Sequence, residues 1–290
     1  VKREPLSERI FHSANLIILA LLGAATLYPF LFMLKLSFSG GGSMADLSLI
    51  PDEITLSNYA KVLTNSSVTD GFVRTLIRTG LATTVTVLAC ILTAYPLAKV
   101  YFPNRNFWTA FIVFTMFFSG GMIPMYLLVK NLGLMNSIWA LIIPGLIPTF
   151  SMIIARNFFM SLPESLEESA RIDGANEFRI LFSIVVPISM PIIATLILWT
   201  AVGHWNAWFD SLIYITDPKK QVLQVVLRRI VLEGTQEVID SSSLAADGTT
   251  ANPDTIKAAT VMVATLPIVC FYPFLQKYFV KGMLVGSLKG

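Results

Sequence analysis

The sequence predicts an all-α membrane protein with six transmembrane helices, and three observations carry that prediction. Lys and Arg number 21 and Asp and Glu 18, only 13% of 290 residues, against roughly a quarter in soluble domains. The shortage is confined to six runs without a formal charge, at 10–34, 79–98, 106–129, 131–155, 180–209 and 258–276. The other 147 residues hold every charge, about 27% of them, which is the ordinary soluble density. A run of about 18 or more apolar residues crosses a hydrocarbon core of about 30 Å as a helix rising 1.5 Å per residue. These patterns exclude a water-soluble globule and a disordered chain, and a net charge of +3 is too small to point to nucleic acid as a partner.

The spans fall at about 11–36, 75–99, 107–130, 136–159, 188–212 and 259–280. The first follows Lys2, Arg3 and Arg9 in the charge order of a signal peptide. Its apolar part is longer than a signal core and no small-residue cleavage pattern closes it, so a retained helix is expected, with residues 1–38 as tail and first span. The polar segment 39–71, which begins at "SGGGS", is expected as an extracytoplasmic loop long enough to have a role of its own, a mere tether being the other reading. In the third span "SGGMIP", from Ser119 through Gly120 and Gly121 to Pro124, should break or kink the helix. Such breaks are tolerated where they line a path or pack against a neighbour. The fifth span ends in "HWNAWFD", where His204, Trp205, Asn206, Trp208 and Asp210 bring polar and aromatic groups into the membrane. Together with Ser119, Gly120 and Gly121 they form the candidate translocation path. An interfacial aromatic belt accounts equally well for Trp208 and Asp210, and a helix–helix hydrogen bond for His204. In the segment 213–258, Val222, Val225, Val226, Arg229 and Ile230 have the spacing of a short helix lying on the membrane surface.

Six spans put both termini on one side. Eleven Lys and Arg lie in or beside the short connections on the side of the termini, against Lys130 alone in the short loop opposite. Both termini are therefore expected in the cytoplasm, including the tail 282–290. Arg74 and Arg78, near the outer end of the second span, run against this count.

The connection 161–187 carries the strongest local signals. Ser161 can cap a helix, with Glu164 as its capping-box partner and Pro163 tolerated in the first turn. Leu162, Leu166 and Ala170 would line one face, and Glu164, Glu167, Glu168 and Arg171 another. Gly174 then supplies a left-handed cap before a second helix that starts near Ala175. From these residues alone, a solvated loop and a docking element are equally open.

The register Glu168-Ser169-Ala170, three residues, Gly174, nine residues, Ile184, one residue, Val186-Pro187 resembles the EAA loop of bacterial ABC importer permeases. Ser169 stands for a second alanine and Val186 for a leucine. "SGGMIPMYLLVKNLGLMNSIWALIIPG", "VGHWNAWFDSLIYI" and the closing "LPIVCFYPFLQKYFVKGMLVGSLKG" are similar to the MalG-like carbohydrate permeases, in particular the LplC/YtcP-type branch, over nearly the whole chain. The resemblance implies a type I ABC importer permease fold with a core at 72–281 and a cytoplasmic coupling helix within 161–187. It implies that Glu164, Glu167, Glu168, Ser169, Ala170, Arg171, Asp173, Gly174, Ala175 and Pro187 couple the chain to an ATPase. Glu168 would meet a basic group there, and Gly174 would make the turn. The implied partners are a second homologous permease in a heterodimer, two cytoplasmic ATPase subunits, an extracytoplasmic solute-binding protein and an oligosaccharide as cargo, all at the bacterial cytoplasmic membrane. The segment 213–258 is the expected contact for the binding protein.

No G-x-x-x-x-G-K-[ST] loop occurs, so ATP and its magnesium are expected on the partner ATPase, with no cofactor, metal or catalytic residue in this chain. An ion-coupled secondary transporter is the alternative that composition allows. It usually needs buried carboxylates, and none lies within the six uncharged runs. A membrane enzyme lacks a motif here: there is no HExxH and no Cys/His cluster.

Overall fold

The computed structural model describes residues 6–51, 53–232 and 252–287. Residues 233–251 of the 213–258 segment, the tail residues 288–290, and Lys2 and Arg3 lie outside them. Among the described residues no strand is present, and one isolated bridge joins Ser39 to Ile54.

Among the described residues, three helices are long and apolar enough to cross a bilayer unaided. The first, α1 (Leu6–Ser37), has 32 residues, about 48 Å at 1.5 Å per residue. Ile17, Leu21 and Phe30 are exposed on it, an arrangement suited to lipid rather than water. After the short α2 (Ser57–Thr64), α3 (Ser66–Ala98) is the second long span. The last is α13 (Pro253–Ser287), which carries Pro267 and Pro273. It opens with proline at its first position, and the Asn252 side chain accepts from the Asp254 amide at 3.0 Å.

The other three spans are bent pairs. Helices α4 (Arg105–Phe117) and α5 (Met122–Asn131) meet at 113°. Of the break or kink expected at "SGGMIP", the structure has the break, because Gly121 takes φ +88° and Pro124 has no amide to give. The fourth span is not the continuous helix expected over 136–159. Two 3₁₀ turns, Ile138–Leu141 and Ile143–Gly145, precede α6 (Thr149–Met160) at 53°. Pro144 and Pro148 remove the amides that a continuous helix would need there. The fifth pairs a segment running from α8 (Glu177–Ile180) through a π-turn (Leu181–Val185) into α9 (Val186–Ile188) with α10 (Met190–Asn206), at 85°. Pro187 and Pro191 flank the corner at Ser189.

The chain divides into two compact units, Val1–Thr69 with Leu227–Leu266, and Asp70–Val226 with Pro267–Gly290. In the first, the segment after α1 is an ordered contact rather than a tether. Buried Asn58 donates to the carbonyls of Ser37 at 3.1 Å and Ser39 at 2.9 Å and accepts from Thr255 at 3.2 Å. Lys35, itself buried, pairs with Asp46 at 2.9 Å.

In the second unit one apolar core joins the end of α3 (Ile91, Ala94, Tyr95) to α6 (Met152, Ala155, Phe159) and to Ile180, Leu181 and Val185. Because lipid tails are as apolar as these side chains, close packing of small and large residues holds the core rather than exclusion from water. A smaller cluster gathers Val129, Leu141, Tyr214, Ile215, Val222 and Val225. The helix expected to lie on the membrane surface, α12 (Leu223–Leu232), is instead packed inward. Leu223, Val225, Val226 and Ile230 are all buried, and the Leu223 amide donates to Thr75 Oγ1 at 2.9 Å. The apolar stripe was legible, but the surface it covers is protein.

Candidate functional site

Two features concentrate polar chemistry in the second unit. The first is the helix pair at 161–187. Helix α7 (Glu164–Ile172) begins without the expected capping box. Pro163 takes the cap position, and the Ser161 hydroxyl donates backward to the Phe158 carbonyl at 2.7 Å, closing α6 instead. At the other end Gly174 has φ +79°. The Ala175 amide donates to Ala170 O at 2.9 Å and the Gly174 amide to Arg171 O at 3.0 Å, the paired bonds of a Schellman turn. The Asn176 side chain then accepts from the Arg179 amide at 2.8 Å and starts α8.

Of the expected apolar face, Leu162 and Ala170 pack against the core, but Leu166 is exposed and Glu167, from the other expected face, is turned inward at 4% exposure. A buried carboxylate needs partners, and α3 and the loop after it supply them. Lys99 Nζ forms an ion pair with Glu167, and Tyr95 Oη donates to it at 3.4 Å. One turn on, Arg171 donates to Glu177 at 2.9 Å, while Tyr95 and Tyr101 donate to the same carboxylate at 2.9 and 3.1 Å. The Arg171 guanidinium also stacks on the Tyr101 ring, 5.0 Å from its centroid. The hydrogen bond to Glu177 raises the pKa of Arg171. Burial, with Glu177 beside it, pushes the Tyr101 phenol up. On the α6 side, Arg156 Nε donates to the Leu97 carbonyl at 2.9 Å, satisfying an acceptor that the end of α3 leaves open.

Because these bonds tie α7 and α8 to α3, the pair is a rigid projection. Its outer surface presents Glu164, Glu168, Ser169 and Asp173, with Pro187 at the far corner. Two apolar side chains also stand out there, Ile172 at 86% exposure and Phe178 at 67%.

The second feature lies around α10. Arg78, near the middle of α3, is 1% exposed. It pairs with Asp210 through both guanidinium nitrogens, Nη1 at 3.2 Å from Oδ1, and Nη1 also donates to the Ala207 carbonyl at 3.2 Å. That carbonyl is exposed by the break between α10 and α11 (Phe209–Tyr214), so a cation there also meets the negative end of a helix. A cavity of about 490 Å³ opens beside the pair, and His204, Ser151, Trp199 and Tyr214 contribute to its wall.

Of the predicted path residues, His204 and Asp210 line this cavity. Trp205 faces elsewhere, edge-on to Phe72 at 5.8 Å and against an apolar space of about 390 Å³ that Thr83 and Phe271 also line. Asn206 donates to its own helix at Val202 O, 3.0 Å away. Trp208 packs beside the smaller apolar cluster, and Ser119, Gly120 and Gly121 are exposed at the α4–α5 break.

The profile of a protein family described as "Binding-protein-dependent transport system inner membrane component" matches residues 53–285. The chain belongs to that family. Protein LplC of Bacillus subtilis (strain 168) is 41% identical over 97% of this chain and 96% of its own length. The polygalacturonan/rhamnogalacturonan transport system permease protein YtcP of the same organism is 40% identical over 90% and 92%. A crystal structure of a bacterial ABC transporter involved in the import of the acidic polysaccharide alginate superimposes with a TM-score of 0.89 at 29% identity, covering 96% of this chain and 100% of that one. This permease therefore has the ABC transporter permease fold and is a multi-pass membrane component of a binding-protein-dependent system. The ion-coupled carrier that composition allowed finds no support.

Several residues of this permease escaped sequence reasoning. Tyr95, Lys99 and Tyr101 bear no motif and matter because α3 ends under α7. Ile172 and Phe178 were legible as apolar residues beside a predicted turn. Arg78 stood out only as a charge misplaced for the orientation count.

Proposed function

We propose that this permease is one half of the membrane path of an ATP-driven oligosaccharide importer. It pairs with a second homologous permease in the bacterial cytoplasmic membrane, both termini in the cytoplasm, and hydrolysis takes place on two cytoplasmic ATPase subunits that hold ATP and magnesium. An extracytoplasmic solute-binding protein delivers the cargo. The matched family description and the sugar-system names of its relatives support this reading.

The observation that carries the coupling role is the bracing of α7 and α8 onto α3 through Glu167–Lys99 and Glu177–Tyr95. A partner that grips the outer surface moves a lever rather than a loop, and the motion arrives at a membrane span. Ile172 and Phe178 are the apolar anchors of that surface, and Glu164, Glu168 and Asp173 are its charged rim.

Gly174→Asp tests the docking. Among the described residues, a Cβ at Gly174 meets no atom within 4 Å beyond its chain neighbours, so the main cost of the substitution is the left-handed backbone, about 1–2 kcal/mol. Membrane insertion should survive, while stimulation of ATP hydrolysis by loaded binding protein is lost. Retained stimulation would contradict the proposal.

A further inference from the structure

Arg74 and Arg78 stand on α3 where the charge pattern puts the edge of the bilayer. The charge-free stretch 79–98 is 20 residues long, about 30 Å at 1.5 Å per residue and so the thickness of a hydrocarbon core. Arg78 adjoins its end. Arg74 lies about 6 Å further out, within a headgroup layer about 5–7 Å deep. A space of about 90 Å³ opens there, walled by both arginines, Lys220, Asn136 and Ile77 among others. It is far smaller than the roughly 300–1,000 Å³ of a small-molecule site, so it admits one compact group. Its wall is held in place by hydrogen bonds. The Leu223 amide donates to Thr75 Oγ1 at 2.9 Å, joining α3 beside Arg74 to the chain just after Lys220. Asn136 Oδ1 accepts from the amides of Thr216 and Asp217 at 2.8 and 3.0 Å. The 3₁₀ turn Pro218–Lys220 follows, and its Lys220 amide donates to Asp217 O at 2.9 Å.

The positive charge at this space is not balanced within the chain. Arg78 is matched by Asp210, but Arg74 and Lys220 form no ion pair among the described residues. Asp217, on the same loop, accepts from the Lys219 amide at 3.0 Å. Neither it nor Asp70, one turn before Arg74, lines the space. Arg74 is half-buried, and its Nε is shut from water without a hydrogen-bond partner among the described residues, a costly state for a cation with no counter-charge. A bound oxyanion removes the imbalance, and the guanidinium fork fits the oxygens of a phosphate. Ile77 lines the space and is 55% exposed, and Val73, one turn away on the same face, is 52% exposed. The space therefore adjoins an apolar, lipid-facing strip of α3. We infer that Arg74 and Lys220 hold the phosphate of an anionic membrane phospholipid, with Val73 and Ile77 against its acyl chains. Such a lipid also accounts for Arg74, which runs against the charge count across the membrane.

The test uses the assembled transporter, purified in mild detergent, with phosphatidylglycerol as the probe and native mass spectrometry to count what is retained. The parent is expected to keep one more phosphatidylglycerol per permease than Arg74→Gln with Lys220→Gln, in which occupancy of the site falls at least fivefold. Arg74→Lys with Lys220→Arg preserves both charges and should keep the lipid, which separates loss of the site from misfolding. Phosphatidylcholine, whose headgroup carries its own cation, should be retained at least fivefold less, and millimolar inorganic phosphate should not displace phosphatidylglycerol. Equal retention by the parent and the Gln variant, equal retention of the two lipids, or loss of the lipid from the charge-preserving variant would overturn the inference. Displacement by inorganic phosphate would make this a free-anion site. Unchanged lipid with lost stimulation of hydrolysis by the binding protein would make the cations a protein contact, and either result would also overturn it.

Discussion

Asp210→Ala is expected to destabilise the permease by about 3 kcal/mol, the lower end of what breaking a buried ion pair costs. The asymmetry of the pair sets the size. The Arg78 side chain is 1% exposed and that of Asp210 30%, so removing the carboxylate strands a cation in the interior. Arg78 would keep its bond to the Ala207 carbonyl and lose the partner on both nitrogens. Removing both charges together, as in Arg78→Met with Asp210→Leu, takes away the stranded cation and should recover most of the loss. Thermal unfolding of the detergent-purified complex reads both variants. A single variant as stable as the parent would show that Arg78 is solvated by something other than Asp210.

Glu167→Ala is expected to have the largest effect on work done per ATP. Glu167 receives Tyr95 from α3, Lys99 from the residue just after it, and Arg171 from its own helix at 3.5 Å. Its loss leaves the Lys99 ammonium, whose side chain is 11% exposed, without its carboxylate. The outer surface of α7 stays as it was, so docking of the proposed ATPase is kept, but the buried brace from α7 to the span is lost and only the one through Glu177 and Tyr95 remains. Uptake should fall at least tenfold while ATP hydrolysis continues. Glu168→Ala gives the opposite pattern, because Glu168 faces outward: the link to α3 is intact and the grip of the ATPase weakens, so hydrolysis and uptake fall together. Equal losses of hydrolysis and uptake in Glu167→Ala would place Glu167 in docking rather than transmission.

How much of this was readable from the sequence depends on how far apart the interacting residues are. The charge-free runs marked every apolar unit, because a bilayer acts on each residue separately. Gly174 was legible since a left-handed turn is a local event, and so was the break at Gly121. The fourth span departs from the single helix that its run length predicts, because Pro144 and Pro148 each remove an amide inside an apolar run otherwise long enough to cross. The start of α7 was misplaced for a similar reason: Ser161 satisfies both the cap and the back-bonding pattern, and Pro163 decides between them. The inward turn of Glu167 was not available locally, since Lys99 lies 68 residues earlier. Arg78 and Asp210 are 132 residues apart, and each alone looked like a charge at a span end. The polar site was therefore seen in its members and missed as a pair.

Proteoliposomes carrying the full transporter, supplied with loaded binding protein, bear most directly on the central claim that this permease moves its cargo only when an ATPase drives α7 and α8. Cargo accumulation should require both the ATPase subunits and ATP, and should vanish when either is omitted. Uptake that persists without them would contradict the account.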